Sequence, residues 1–167
     1  IVLNNSGKTL TLNNVNQNGG MHGCGQMWIG ITVLGSSNKV TIDNSTVQDA
    51  QIALDVRPVS PIQSIITVRN NALLDRNHIG ISIPNGITLS GASSWPSLKI
   101  WGSRFDCSSN LLPPFDPALP EWETRSLVGI TTQNFNYNIP EPYNGGGGTA
   151  RVEFANLRTG IVAKGGA

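Results

Sequence analysis

Charge is scarce in this chain. Asp, Glu, Lys and Arg make up 13% of its 167 residues and leave a net charge of +1, against roughly 25% charged residues in ordinary soluble domains. A polybasic nucleic-acid binder and an acidic solvating tail are both excluded on that count. Aromatic residues are few, at 6%. No apolar run approaches the roughly 20 residues of a membrane helix, so insertion in a membrane by a helix is not expected. Two cysteines, Cys24 and Cys107, stand far apart. Neither belongs to a CxxC pair, which argues against a zinc site; a disulfide is open, and two small buried residues is the plainer expectation. No segment sustains a 3.6-residue apolar period, and no phosphate-binding loop occurs: the run Gly145 to Gly148 lacks the Lys-Ser/Thr and helix that such a loop needs.

What the chain has in quantity is turn formers, with 19 Gly, 10 Pro and 18 Asn. These punctuate a short repeat, apolar-x-apolar-x-Asn or Gly. It reads Leu10-Thr11-Leu12-Asn13-Asn14, Val40-Thr41-Ile42-Asp43-Asn44, Ile66-Thr67-Val68-Arg69-Asn70 and Leu98-Lys99-Ile100-Trp101-Gly102, at spacings of 30, 26 and 32 residues. Val152-Glu153-Phe154 is a looser fifth copy. Alternation at period two places the apolar set on one face of a strand. A large apolar residue follows five positions on, as Val47, Leu73, Phe105 and Leu157. A third apolar group closes each repeat: Ile31/Val33, Ile52/Leu54, Ile79/Ile81/Ile83, Val128/Ile130 and Ile161/Ala163, with Gly beside it at Gly30, Gly80, Gly129 and Gly160.

A unit of two or three short strands cannot bury its own apolar face. Stacking like on like hides a continuous column of Leu, Ile and Val, with equivalent positions about 4.8 Å apart. The expected fold is therefore all-β, a single-stranded right-handed parallel β-helix (solenoid) of about five coils. Asn14, Asn44 and Asn70 should share one corner, where Asn tolerates left-handed backbone and can hydrogen-bond along the column. An antiparallel sandwich would repeat its strands every ~8–12 residues and fits the spacing less well. Residues 1–167 read as one β-helix segment, an excerpt of a longer chain, with loop insertions at 84–97, 108–126 and 133–149.

These repeats resemble right-handed parallel β-helix proteins of the pectin-lyase-like class. The stretch Cys24-Gly25-Gln26-Met27-Trp28-Ile29-Gly30-Ile31-Thr32-Val33, followed by Val40 to Ala50, is similar to β-helix segments of type IX secreted, adhesin-like surface proteins. The resemblance implies an extracellular or cell-surface location and a structural or carbohydrate-binding role. It also admits lyases and hydrolases on the same scaffold.

Candidate chemistry concentrates in the insertions. Trp95, Trp122, Tyr137 and Tyr143 offer flat apolar faces of the kind that stack on sugar rings. Asp116, Glu121 and Glu123 are the acids beside them, candidates for ligand contact and for calcium through oxygen ligands. A glycosidase would need two such carboxylates ~5–9.5 Å apart; a lyase like the pectate enzymes would need clustered acids and a basic residue on one sheet. The strand-borne charges, Asp43, Asp55, Arg69, Lys99 and Glu153, are scattered, with Asp43 and Arg69 in register one coil apart, so no catalytic residue and no resident cofactor are expected. His22 and His78 read as turn residues, Trp28 and Trp101 as wall residues.

The functional expectation is a noncatalytic module of a bacterial surface protein, a spacer or a contact for glycan. The alternatives are a fragment of a carbohydrate-active enzyme and a fibre subunit stacking end to end. Expected partners are flanking β-helix coils, of the same or a neighbouring chain, and polysaccharide; nucleic acid is not among them.

Overall fold

A computed structural model describes residues 1–16, 20–35, 37–57, 65–84, 98–115, 125–133, 137–138 and 151–164, the pair 137–138 through its backbone only. The elements are β1 (Val2–Leu3), β2 (Thr9–Asn13), β3 (Trp28–Val33), β4 (Lys39–Asp43), β5 (Thr46–Gln48), β6 (Ala50–Val56), β7 (Ile65–Asp75), β8 (Ile79–Ile83), β9 (Leu98–Asp106), β10 (Val128–Gln133), β11 (Tyr137–Asn138), β12 (Val152–Phe154) and β13 (Thr159–Lys164). Every pairing among them is parallel.

The chain winds as a parallel β-solenoid with long loop insertions. Its first face stacks β1, β3, β6, β8, β10 and β13. Its second stacks β2, β4, the first half of β7, the first half of β9, and β11. The third stacks β5, the second halves of β7 and β9, and β12.

The repeats seen in the sequence stack as expected. Leu10, Val40, Ile66 and Leu98 form one column, and Leu12, Ile42, Val68 and Ile100 the next. Facing them, Ile31, Leu54, Ile81, Ile130 and Ile161 align across the first face. The middle of each column is fully buried. Burying one such side chain favours folding by about 1.5–3 kcal/mol, and it is the neighbouring coil that makes the burial possible.

The corner between the second and third faces is left-handed. Asn14, Asn44 and Asn70 have φ of 57°, 43° and 53°, and Gly102 takes the fourth place at 54°. The Asn44 amide donates to Asn14 Oδ1 at 2.6 Å. The Asn70 amide instead donates to Asp43 Oδ1 at 2.9 Å, because an adjacent carboxylate is the stronger acceptor. Below the corner, Ser45 and Ser103 play one part in different coils: each hydroxyl donates to the carbonyl two residues back, at 2.7 and 3.0 Å. A second left-handed column follows the third face, at Asp49, Arg76 and Asn156.

Two registers differ from the sequence reading. Val47 stacks on Leu74, not on Leu73, and Leu74 on Phe105. The cause is an extra corner residue: both Asn70 and Asn71 are left-handed, and the β7–β9 register slips between Arg69 and Ala72. Leu73 is thereby turned outward, half-buried, while Leu74 enters the core. Likewise Val152-Glu153-Phe154 is not a fifth copy of the second face. It pairs with Ser103–Phe105 on the third, so Phe154, not Leu157, stacks on the Phe105 ring at 5.1 Å. The second face is continued instead by β11, with Tyr137 beside Leu98, inside what the sequence presents as loop 133–149.

The Phe105–Phe154 stack explains the glycines of the first face. A Cβ on Gly80 would run into the Gly129 carbonyl oxygen and come within 2.8 Å of Phe105. One on Gly129 would lie 2.7 Å from both the Gly160 oxygen and Phe154. Wide rings on one wall require bare backbone on the opposite wall.

After β9 the chain doubles back over the coils. Ser108 donates twice to Asp75, at 2.9 and 2.6 Å. The Pro113 carbonyl accepts from the Met27 amide at 2.8 Å, and Phe115 stacks on His78 at 4.3 Å. Met27, Cys107 and Leu111 make a small core of their own beneath this strap.

Candidate functional site

Most of the site residues singled out in the sequence, Trp95, Asp116, Glu121, Trp122, Glu123 and Tyr143, lie outside the described residues. Tyr137 is placed by its backbone in β11, beside Leu98. Among the described residues no three His, Cys, Asp or Glu side chains gather as a metal site would require.

Four of the five described aspartates are instead engaged by the coil that follows them. Asp43 accepts from Arg69 Nε at 2.7 Å and from Asn70. Asp49, almost fully buried, is gripped by Arg76 through two bonds of 2.8 and 2.9 Å. That hydrogen bond holds the Arg76 guanidinium above its ordinary pKa, against the opposing effect of burial. Asp75 accepts from Ser108, and Asp106 from Asn156 at 2.8 Å. Asp55 pairs locally with Arg57. Arg69 also lies 5.7 Å over the Trp101 ring, and the Trp28 indole donates to the Gln48 carbonyl at 2.8 Å. Both tryptophans thus brace the wall, as their positions in the repeat indicate.

Among the described residues no hydrogen bond joins a histidine to a cysteine. His22 is exposed, with Nδ1 3.0 Å from the Gly23 carbonyl. His78 is half-buried under Phe115, and burial lowers its pKa; its Nδ1 and the Ser126 hydroxyl are buried without hydrogen-bond partners among the described residues. Both cysteines are free thiols. Cys107 is buried, as expected, and takes part in the strap through Ser126 N at 3.3 Å. Cys24 is exposed, contrary to the expectation of two buried thiols, because it sits in a turn ahead of β3 rather than on a column.

One groove of about 280 Å³ opens on the third face, at the left-handed corner. Leu73 and Ala72 line it from β7, Gly102 and Arg104 from β9, and Arg151 and Glu153 from the edge of β12. The register slip creates it: Asn71 and Leu73 are pushed outward, while the coil above turns the same corner on Gly102, which has no side chain to fill the space. Arg104 is held by Asp106 at 2.7 Å and reaches Glu153 at 3.7 Å. Arg151 makes no ion pair among the described residues. Of the charged residues that line it, only Glu153 stands out in the sequence, as a scattered strand charge. The signal available was the alternation Arg151-Val152-Glu153, which places both charges on one side of a strand.

Compared with protein-family models, with curated proteins and with solved structures, the chain matches none.

Proposed function

We propose that this β-solenoid is a noncatalytic extracellular module of a bacterial adhesin-like surface protein, a rigid spacer whose outer faces contact glycan or another surface. The observation that carries this reading is the use made of the acids. Asp43, Asp49, Asp75 and Asp106 each accept hydrogen bonds from the next coil. Both oxygens of each of these carboxylates already accept hydrogen bonds, so the group serves as a tie between coils, and those bonds compete with any part in abstracting a proton or attacking a sugar carbon. The low charge and the resemblance to type IX secreted segments point to the same setting.

The test is incubation of the chain with neutral and acidic polysaccharides, followed by assay of reducing ends and of unsaturated products. The reading expects neither to rise above the level without protein. Product formation would favour the alternative, a fragment of a carbohydrate-active enzyme.

A second reading, coverage of the outer coils by further coils, has its own support. Leu3, Leu10 and Val15 at one end of the column, and Phe154, Leu157 and Ile161 at the other, are only partly buried. A neighbouring coil, of this polypeptide or of another copy, would complete their burial. Sedimentation across a range of concentrations separates the two: growing assemblies support stacked copies, and a constant monomer mass refutes them.

A further inference from the structure

We propose that the corner groove between β7, β9 and β12 is a subsite for a singly charged acidic sugar, a hydroxylated ring bearing one carboxylate or one sulfate. The choice of a sugar rests on the glycan-contact reading above; the location and the charge come from the groove itself.

Size comes first. At about 280 Å³ the groove sits just below the roughly 300–1,000 Å³ of typical small-molecule sites, so it suits a single ring better than an extended segment. Charge comes second. Arg104 is bonded to Asp106 through Nε at 3.0 Å and Nη2 at 2.7 Å, and its remaining Nη1 faces Glu153 at 3.7 Å. It is therefore already neutralised. Arg151, with no ion pair among the described residues, is the cation left to take an anion, and a guanidinium binds carboxylate or sulfate oxygens through paired N–H groups. Glu153 limits the total: a ligand of higher charge would be repelled by the carboxylate in the same groove.

The other lining groups want hydroxyls. Glu153 accepts hydrogen bonds, and the exposed Asn71 amide both donates and accepts. Leu73 supplies an apolar surface for the C–H face of a ring. A cation, an acceptor, an amide and an apolar patch within the space of one ring describe an acidic sugar more closely than an acidic peptide, which would offer carboxylates without hydroxyls.

The experiment titrates the full chain with glucuronate, galactose 6-sulfate, glucose and a short Asp/Glu peptide, following backbone NMR shifts. At least one of the two acidic sugars should saturate, with shifts centred on residues 71–73, 102–104 and 151–153, and the carboxylate and sulfate arms show which anion is preferred. Glucose and the peptide should bind at least tenfold more weakly. Arg151→Ala should weaken the acidic sugar at least tenfold, and Glu153→Gln should tighten it severalfold; Lys8→Ala, remote from the groove, should leave it unchanged. Arg151 is exposed, so its removal leaves the fold intact, which unchanged shifts elsewhere verify. Absence of saturation, equal binding of glucose or of the peptide, or indifference to Arg151→Ala overturns the proposal while leaving the noncatalytic reading standing. Product formation would overturn that reading and leave the groove binding measurable.

Discussion

Three chemically identical substitutions on the first face should differ in cost in an order set by the opposite wall. Gly80, Gly129 and Gly160 stack along β8, β10 and β13, and none has left-handed backbone. Gly→Ala at such a position would ordinarily stabilise a protein by about 0.4–1 kcal/mol through the unfolded chain. Here the added methyl meets what faces it. At Gly80 it is driven into the backbone oxygen of Gly129, which cannot move without disturbing the coil, and it also meets the Phe105 ring at 2.8 Å. At Gly129 the nearest atoms, Gly160 oxygen and a Phe154 ring carbon, are both at 2.7 Å. At Gly160 only Phe154 is close, at 3.2 Å, and it is a partly buried side chain at an outer coil. Overpacking a well-filled core costs about 1–3 kcal/mol. Gly80→Ala should therefore lose an amount near the top of that range and Gly129→Ala somewhat less, while Gly160→Ala should stay within about 0.5 kcal/mol of the parent because the two effects offset. Combining Gly80→Ala with Phe105→Leu should recover the ring contact and not the carbonyl contact, so the pair should be less than additive. Urea unfolding midpoints at constant slope measure all five variants, the single Phe105→Leu included. Equal stability of Gly80→Ala and the parent, or a larger loss at Gly160 than at Gly80, would refute the reasoning.

The register slip predicts that neighbouring leucines are unequal: Leu74→Ala should lose about 2–5 kcal/mol as a core deletion and the half-buried Leu73→Ala clearly less, in the same urea assay. At the corner, Asn44→Ala should cost about 1–2 kcal/mol for left-handed backbone on top of the lost bond to Asn14. Asn44→Gly should recover most of the backbone share, a difference read from thermal midpoints. Stability should also fall in mild acid. Burial lowers the His78 pKa in the folded state, so the unfolded chain binds the proton more readily; the contribution is complete above the unfolded value of about 6.5 and is lost as pH falls through that value toward the folded one. His78→Phe, which keeps a ring against Phe115, should flatten that part of the stability profile in denaturation from pH 7 to pH 5.

The columns were legible in the sequence because burial on a stacked coil imposes the same alternation at each turn, and Val40, Ile66 and Leu98 carry it without interruption. The corner was legible because left-handed backbone selects Asn and Gly. The register of the third face was not. Asn70 and Asn71 suit the same conformation equally well, so nothing in their chemistry tells whether one or both sit in the corner, and one residue is enough to exchange Leu73 for Leu74. Val152-Glu153-Phe154 was misplaced for a related reason: three alternating residues identify a strand and carry no mark of which face it joins. The groove was hidden because Arg104 and Arg151 lie far apart in the chain and meet only through the β9–β12 pairing. Of the aromatic and acidic loop residues that drew attention from composition, all but Tyr137 lie outside the described residues.

Methyl and backbone proton contacts by NMR bear most directly on the parallel stacking on which the account depends. Parallel coils place Val40 beside Ile66 and Ile42 beside Val68, then Ile66 beside Leu98 and Val68 beside Ile100. Strong cross-peaks should link each of these pairs, and they should be missing between Ile42 and Ile100, two strand spacings of about 4.8 Å apart. Cross-peaks joining Val40 to Val68 and Ile42 to Ile66, the signature of antiparallel strands, would contradict the fold and everything built on it.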